Sequence, residues 1–256
     1  MKILLALLIW SACVTGSLAQ DISALATSVI KLNRYFFPLC GRTNFSMIVW
    51  AEILSTSGER KLTIPFLFFN ADGVTRQDLL LSEMANLPAE NRRRMKLLGT
   101  DLVTVVMRPE ESKACLSLNR LHAYCEMALS ADLLEDPMGK NVRYQETAIG
   151  TEEIEGEEYA KAQFIEVGHS REVAVIWRSK TSGFPLKLEM RSPDLGGINL
   201  RFFKVDLRKP PQAYFIVPTN YVKLPDSKAF IPYAVELMKR RNAQSPERPA
   251  PGEAGQ

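Results

Sequence analysis

The sequence predicts a mainly β protein with some α-helix, folded as an antiparallel sheet of about eleven strands that curls or closes. Two observations support this fold class. Short segments of alternating apolar and polar residues follow one another along the chain, separated by glycine-containing turns at intervals of roughly eight to twelve residues. One helical segment interrupts this run of strands, so we expect it to lie across the sheet.

Three segments have the apolar period of helices. The first covers residues 21–37, and the second covers residues 86–99, with Pro88 where a helix can begin and Gly99 where it should stop. The third covers residues 232–241, just after the last strands. Their apolar sides are available to cover one face of a sheet.

About eleven segments have the alternation of strands. In the first, Phe45, Met47 and Val49 alternate with the residues of the opposite face, and Val175 and Trp177 belong to a similar row. Glycine-bearing turns separate the first three strands, which predicts two hairpins. The predicted strands are Asn44–Leu54, Lys61–Phe69, Val74–Leu81, Asp101–Arg108, Lys113–Leu118, His122–Ala128, Val142–Ile149, Tyr159–Val167, Arg171–Arg178, Phe184–Arg191 and Ile198–Leu207.

The first nineteen residues have the pattern of a secretory signal peptide. A lysine at position 2 precedes the apolar run Ile3–Trp10, and Ser17–Ala19 places small residues at a cleavage site. We expect cleavage after Ala19 and a periplasmic or secreted protein. Trp10–Cys13 also resembles a lipobox, with Trp10 in place of the usual leucine, so lipid anchoring through Cys13 is the alternative that we favour less.

We expect one large domain in the exported chain. Residues 1–19 are the signal peptide, residues 20–224 the half-barrel domain, residues 225–241 a C-terminal helix and residues 242–256 a disordered tail. The tail consists mainly of polar residues, proline, alanine and glycine, which bury too little apolar surface to order it.

Three cysteines remain after removal of the signal peptide. If Asn119–Leu121 is a three-residue hairpin loop, Cys115 lies opposite Cys125, and cross-strand neighbours are close enough for a disulfide bond. We therefore predict a bond between Cys115 and Cys125. Cys40 is left as a small buried apolar residue.

Charge and motifs exclude several classes of protein. The net charge of +3 is too small for a nucleic-acid-binding domain. Arg92–Arg94, Lys239–Arg241 and the glutamate-rich residues 146–158 are either solvated faces or docking surfaces for an anionic membrane or a charged partner. No metal-ligand spacing, nucleophile motif or phosphate-binding glycine loop occurs. We expect no catalysis, metal or cofactor.

Three stretches resemble the bacterial outer-membrane lipoprotein carrier superfamily (LolA/LolB-like), and more closely its uncharacterised secreted branch. They are the strand-turn-strand Ile149–Gly156, the strand entry Ser182–Glu189, and the closing stretch Pro210–Pro218 with Tyr221–Lys223. The resemblance covers residues 21–223. It implies an incomplete barrel with helices inside or across its concave face, and in the better-known carriers that apolar hollow receives acyl chains.

These observations predict a non-enzymatic carrier or sensor that binds a lipid or lipoprotein acyl group in the hollow. The alternative is an interaction or structural module of the cell envelope without a small ligand. An envelope protein and a peripheral membrane contact are further candidate partners, and the covering helices can also fill the hollow as an ordinary core. The residues that we expect to line the hollow are Phe45, Met47, Val49, Met95, Leu98, Val175, Trp177, Phe184, Leu186 and Leu188.

Overall fold

The part of the chain that the structure describes contains one sheet of twelve strands and two complete helices. The structure, a computed structural model, describes Phe36 and residues 39–55, 57–85, 87–129, 143–167, 173–192 and 196–244. The predicted signal peptide, Cys13 and the tail beyond residue 244 lie outside these residues. The strands are β1 Asn44–Leu54, β2 Arg60–Ala71, β3 Val74–Leu80, β4 Leu102–Arg108, β5 Lys113–Leu118, β6 Ala123–Ala128, β7 Tyr144–Ile154, β8 Glu157–Glu166, β9 Val173–Ser179, β10 Pro185–Ser192, β11 Gly196–Asp206 and β12 Val222–Lys223.

The sheet is open and almost entirely antiparallel. Its order is β12-β6-β5-β4-β3-β2-β1-β11-β10-β9-β8-β7, so the pair β1–β11 joins two meanders in the middle. Only the two-residue strand β12 runs parallel to its neighbour, β6. The predicted half-barrel of about eleven strands is thus confirmed, with β12 as a short addition.

Turn chemistry explains the two tightest hairpins. Asp72 and Gly73 connect β2 to β3, and Glu155 and Gly156 connect β7 to β8. All four residues have positive φ, between 50° and 95°. Two such residues make a type I′ turn, whose twist matches that of the paired strands.

Helix α1, Ala89–Leu98, follows the predicted boundaries closely. Pro88 precedes it, and Gly99 ends it with φ of 70° in the left-handed region. The positive φ favours glycine, and a Cβ at Gly99 would also make a tight contact of 3.1 Å with Leu121 Cδ2. Helix α2, Phe230–Gln244, starts two residues before the predicted helix and ends beyond it.

Neither helix spans a membrane. Within the part of the chain that the structure describes, no helix combines the length and apolar character that a membrane-spanning helix requires.

The main apolar core lies between one face of the sheet, the inner face, and helical segments. Phe36, Leu39 and Cys40, which are helical, pack there together with α1 and α2. The predicted orientation of the β1 row is confirmed. Phe45, Met47 and Val49 all point into this core and are at most 3% exposed. The helices therefore cover the inner face of the half-barrel.

After β11, residues 210–224 form a strap across the outer face of the sheet. Phe215, 1% exposed, packs into a second, smaller apolar cluster with Ala71, Val106 and Cys115. Two sheet arginines hold the strap through its main chain: Arg76 donates to the Tyr214 carbonyl at 2.7 Å and Arg108 to the Phe215 carbonyl at 2.6 Å. The strap carries the chain from the middle of the sheet to its β6 edge, after which α2 returns to the inner face.

The structure contradicts the predicted disulfide bond. The β5–β6 connection contains one residue more than expected, because His122 adopts φ of 49° after a 3-10 turn over Asn119–Leu121. Cys115 therefore pairs with Glu126, and Cys125 pairs with Leu116. A one-residue shift of register moves a side chain to the other face of the sheet. Cys115 consequently packs in the outer cluster and Cys125 in the inner core, both as free thiols.

We expect the cysteines to be unreactive in the folded protein. Burial raises the pKa of Cys115 to about 11 and those of Cys40 and Cys125 to about 12. Since the thiolate is the reactive species, iodoacetamide at mildly alkaline pH should label these three thiols only after unfolding. Reductant should leave the melting temperature unchanged. Rapid labelling of the folded chain, or a mass lacking two hydrogens, would contradict this prediction.

Most of the acidic stretch, residues 146–158, lies in strand β7. The predicted strand ended at Ile149, but β7 continues to Ile154 and contains Glu146, Glu152 and Glu153. Its register shifts between Ala148 and Gly150, where Gly150 has φ of 125°. The glycine thus accommodates a bulge inside the strand instead of ending it.

Candidate functional site

The inner face under the helices is the candidate site, and its centre is a group of aromatic rings. Phe45 is fully buried, and its ring centroid lies 5.3 Å from those of Phe68 and Phe184 and 6.1 Å from that of Phe36. Phe36 also lies 5.2 Å from Phe202 on β11. Edge-to-face packing of this kind joins three strands to the helical segment before β1.

The helical cover of the inner face comes from separate parts of the chain. Helix α1 contributes Met95 and Leu98, which are 7% and 8% exposed, as predicted for its apolar side. Helix α2 contributes Phe230 and Ala234, both at most 1% exposed, with several half-buried residues beside them. Within the described residues, the inner face is therefore covered by helical side chains and not by a second sheet.

The predicted residues near β10 are divided between the core and its margin. Phe184 and Leu188 lie in the inner core and are at most 2% exposed. Leu186 is only half-buried, because the pairing of β10 with β9 is irregular between Pro185 and Lys187. That any of these residues line a ligand cavity stays a prediction.

The row of β9 was assigned to the wrong face. Ala174 and Ile176 point into the inner core, whereas Val175 and Trp177 lie on the outer face. The outer row is the more apolar of the two, so alternation alone selects it for the core. Trp177 is nevertheless only 3% exposed.

Lysine side chains cover Trp177 on the outer face. The Nζ atoms of Lys161 and Lys187, on the two neighbouring strands, lie 4.7 Å and 4.0 Å from its ring centroid. Its Nε1 donates to Glu152 Oε2 at 2.8 Å. This bond and the one from Lys161 hold the pKa of Glu152 below its usual value.

Arg178 is a polar residue of the inner face that the sequence patterns did not single out. Its guanidinium lies 5.6 Å from the ring centroid of Phe164 and donates to the main-chain carbonyls of Leu39 and Gly183. Burial lowers its pKa. Among the residues that the structure describes, it forms no ion pair with a carboxylate. The alternation of β9 would have revealed it, had the facing of that strand been read correctly.

The outer face carries a groove of about 200 Å³ between the strap and strands β4 to β6. Val106, Cys115 and Tyr124 contribute to its walls. Its charged side chains are paired with one another: Arg108 with Glu111 at 3.6 Å and Lys113 with Glu126 at 3.5 Å. The groove thus offers little net charge to a ligand.

Several solved structures are similar to this chain. An uncharacterized conserved protein from Thermus thermophilus matches with a TM-score of 0.46 and 11% identity over 82% of this chain and 99% of that one. MucB, in the MucA/MucB complex of Pseudomonas aeruginosa, matches with a TM-score of 0.40 and 15% identity over 77% of this chain and 62% of that one. A LolA superfamily protein from Nitrosomonas europaea matches with a TM-score of 0.31 and 13% identity over 75% of this chain and 97% of that one.

The predicted resemblance of this chain to the LolA/LolB-like superfamily is confirmed as a similarity of fold. No family model matches the sequence, and neither does the sequence of any curated protein. With TM-scores below 0.5, the structural similarities are too distant to transfer a function to this chain.

Proposed function

We propose that the protein is a non-enzymatic carrier or sensor that holds the acyl chain of a lipid or lipoprotein against the inner face of its sheet. One observation carries this proposal: an open sheet with a large apolar core on its inner face is covered by helical segments from three separate parts of the chain. Helices joined to the sheet by short connections can shift as units, whereas a second hydrogen-bonded sheet would resist separation.

An acyl chain can offset the cost of moving the cover. Each buried methylene contributes about 0.8 kcal/mol, so a chain of about sixteen carbons contributes roughly 12 kcal/mol before ordering costs. Among the residues of helix α2 whose burial is described, Phe230 and Ala234 are the fully buried ones. The apolar contacts that it would give up are therefore comparable to those that a ligand would supply.

Arg178 suggests the chemistry of the ligand's head group. It is a cation at the margin of the apolar face, and its partners are main-chain carbonyls rather than carboxylates. We propose that a carboxylate or phosphate on the ligand replaces the Leu39 carbonyl when the helical cover opens. A charged acceptor makes a stronger hydrogen bond with a guanidinium than a neutral carbonyl does.

Fluorescent fatty-acid displacement tests this proposal. Protein purified without detergent should carry acyl species in native mass spectrometry and should bind the probe after these are removed. Arg178→Gln should weaken binding of a fatty acid about tenfold, because a charge-assisted hydrogen bond is lost. The corresponding fatty alcohol should bind both proteins equally. Lys180→Gln, at an exposed site two residues away, is the matched control.

Two results would contradict the proposal. The first is a protein that is empty in native mass spectrometry and binds neither the acid nor the alcohol. The second is equal loss of the acid and the alcohol in Arg178→Gln, which would limit the role of Arg178 to anchoring the helical segment at Leu39.

An envelope interaction module is the second candidate function, and the β7 edge of the described sheet supports it. β7 is an edge strand of eleven residues, most of them exposed, and it is acidic. A long edge can pair with an extended segment of another protein. An empty protein that captures an envelope partner through this edge would favour this function over a carrier.

A further inference from the structure

The outer face exposes a pair of aromatic rings at the middle of the sheet. Trp50 on β1 and Phe203 on β11 are 50% and 41% exposed, with ring centroids 6.2 Å apart. β1 and β11 are the seventh and eighth strands in the order of twelve. The pair therefore lies at the crest of the convex face, opposite the helical cover.

Apolar neighbours extend this pair into a patch. Ile48 lies directly opposite Phe203 in the ladder, and Leu67 lies directly opposite Ile48. Both are half-buried. Single exposed apolar residues are ordinary on protein surfaces, but adjacent aromatic and aliphatic residues on one face mark a site of contact.

Two basic residues flank the patch, and in the described part of the chain their charges are not neutralised by ion pairs. Arg201 lies opposite Trp50 in the ladder and is exposed. Lys204 follows Phe203, at an irregularity of the β1–β11 pairing, and has φ of 49° with its side chain exposed. Neither forms an ion pair with any other residue in the described ranges.

Acidic residues near the patch are paired with other side chains, among them Asp206 with Arg208 at 2.6 Å. Glu52 accepts from Arg60 at 2.9 Å, and Glu189 accepts from Lys187 at 2.8 Å. The docking patch, Ile48, Trp50, Arg201, Phe203 and Lys204, therefore has a net positive charge.

We infer that the docking patch binds the surface of a bilayer containing anionic lipids. A flat membrane touches a convex face first at its crest, where the patch lies. Tryptophan and phenylalanine are suited to the headgroup region, and arginine and lysine contact lipid phosphates there. This contact is independent of the inner face, so it stands whether or not the protein carries an acyl ligand.

Co-sedimentation of the full chain with vesicles tests the inference. Binding should be strong to vesicles of phosphatidylethanolamine and phosphatidylglycerol, weak to neutral phosphatidylcholine, and reduced by high salt. Each cation near an anionic surface contributes about fivefold in affinity, so Arg201→Glu should weaken binding by about tenfold or more. Lys228→Glu makes the same charge change at an exposed position before α2 and should bind like the wild type.

Aromatic variants test the apolar half of the docking patch. Trp50→Ala should weaken vesicle binding, whereas Leu97→Ala, at a position 66% exposed on α1, should not. Trp50→Phe should keep binding but lose the blue shift of tryptophan emission that vesicles produce in the wild type. Circular dichroism should show all variants folded.

Three outcomes would overturn the inference. They are equal binding to neutral and anionic vesicles, wild-type vesicle binding by both Arg201→Glu and Trp50→Ala, and absence of vesicle binding together with capture of an acidic protein through the same residues. Fatty-acid displacement by these variants separates the two proposals, because loss of membrane binding should leave probe affinity unchanged.

Discussion

Replacing Phe45 by alanine should lower the free energy of unfolding by about 3–5 kcal/mol, because it removes a fully buried ring and leaves a cavity. Phe45 contacts Phe36, Phe68 and Phe184, so the cavity would open between β1, β2, the residues before β10 and the helical segment that covers them. Urea denaturation followed by circular dichroism measures the change.

Phe203→Ala is the matched control for Phe45→Ala. Phe203 is 41% exposed on the neighbouring strand and faces the other side of the sheet. Its truncation should cost less than about 1 kcal/mol. Equal losses for the two variants would mean that the aromatic group at Phe45 is not the centre of the core.

The sequence predicted the inner face of β1 correctly and that of β9 incorrectly, and both outcomes have the same physical reason. In β1 the outer row contains Ser46 and Glu52 as well as apolar residues, so it is less apolar than the inner row Phe45, Met47 and Val49. In β9 the inner row ends in Arg178, while Trp177 on the outer row is buried by lysine side chains from two other strands. That cover is a tertiary property, which periodicity within one strand cannot reveal.

The predicted disulfide bond was wrong because the hairpin connection is one residue longer than expected. Sequence patterns located β5, the turn and β6, but not the extra residue that His122 adds to the connection. In a hairpin the register depends on the turn, so this residue placed Cys115 and Cys125 on opposite faces. Predictions that depend on register are therefore less secure than predictions of which segments are strands.

Long-range contacts explain the other two features that the sequence did not predict, the strap and the docking patch. Residues 214–218 are apolar in the sequence, but the path of the strap across the outer face depends on Arg76 and Arg108, from distant strands, which hold its main-chain carbonyls. The docking patch likewise depends on Trp50 and Arg201 becoming neighbours through the β1–β11 pairing. The fold class and most strands could be predicted from alternation, whereas both surfaces required the three-dimensional pairing.

Replacing Asp78 by alanine should destabilise the protein by about 3 kcal/mol and loosen the strap, because it leaves a largely buried arginine without its carboxylate. Asp78 accepts two bonds from Arg76, each 2.9 Å long, and one from the Thr104 hydroxyl at 2.5 Å. The side chains of Arg76 and Asp78 are only 23% and 10% exposed. Because Arg76 also donates to the Tyr214 carbonyl, its displacement should raise amide hydrogen exchange in residues 212–217.

Asp206→Ala provides a close control for this prediction. Asp206 and Arg208 are also two residues apart and form a two-pronged pair, but their side chains are 36% and 88% exposed. Surface pairs of this kind contribute little, since water solvates both partners. Asp206→Ala should therefore leave the melting temperature and the exchange of the strap nearly unchanged. If Asp78→Ala behaves in the same way, the strap is held by the packing of Phe215 and not by the buried pair.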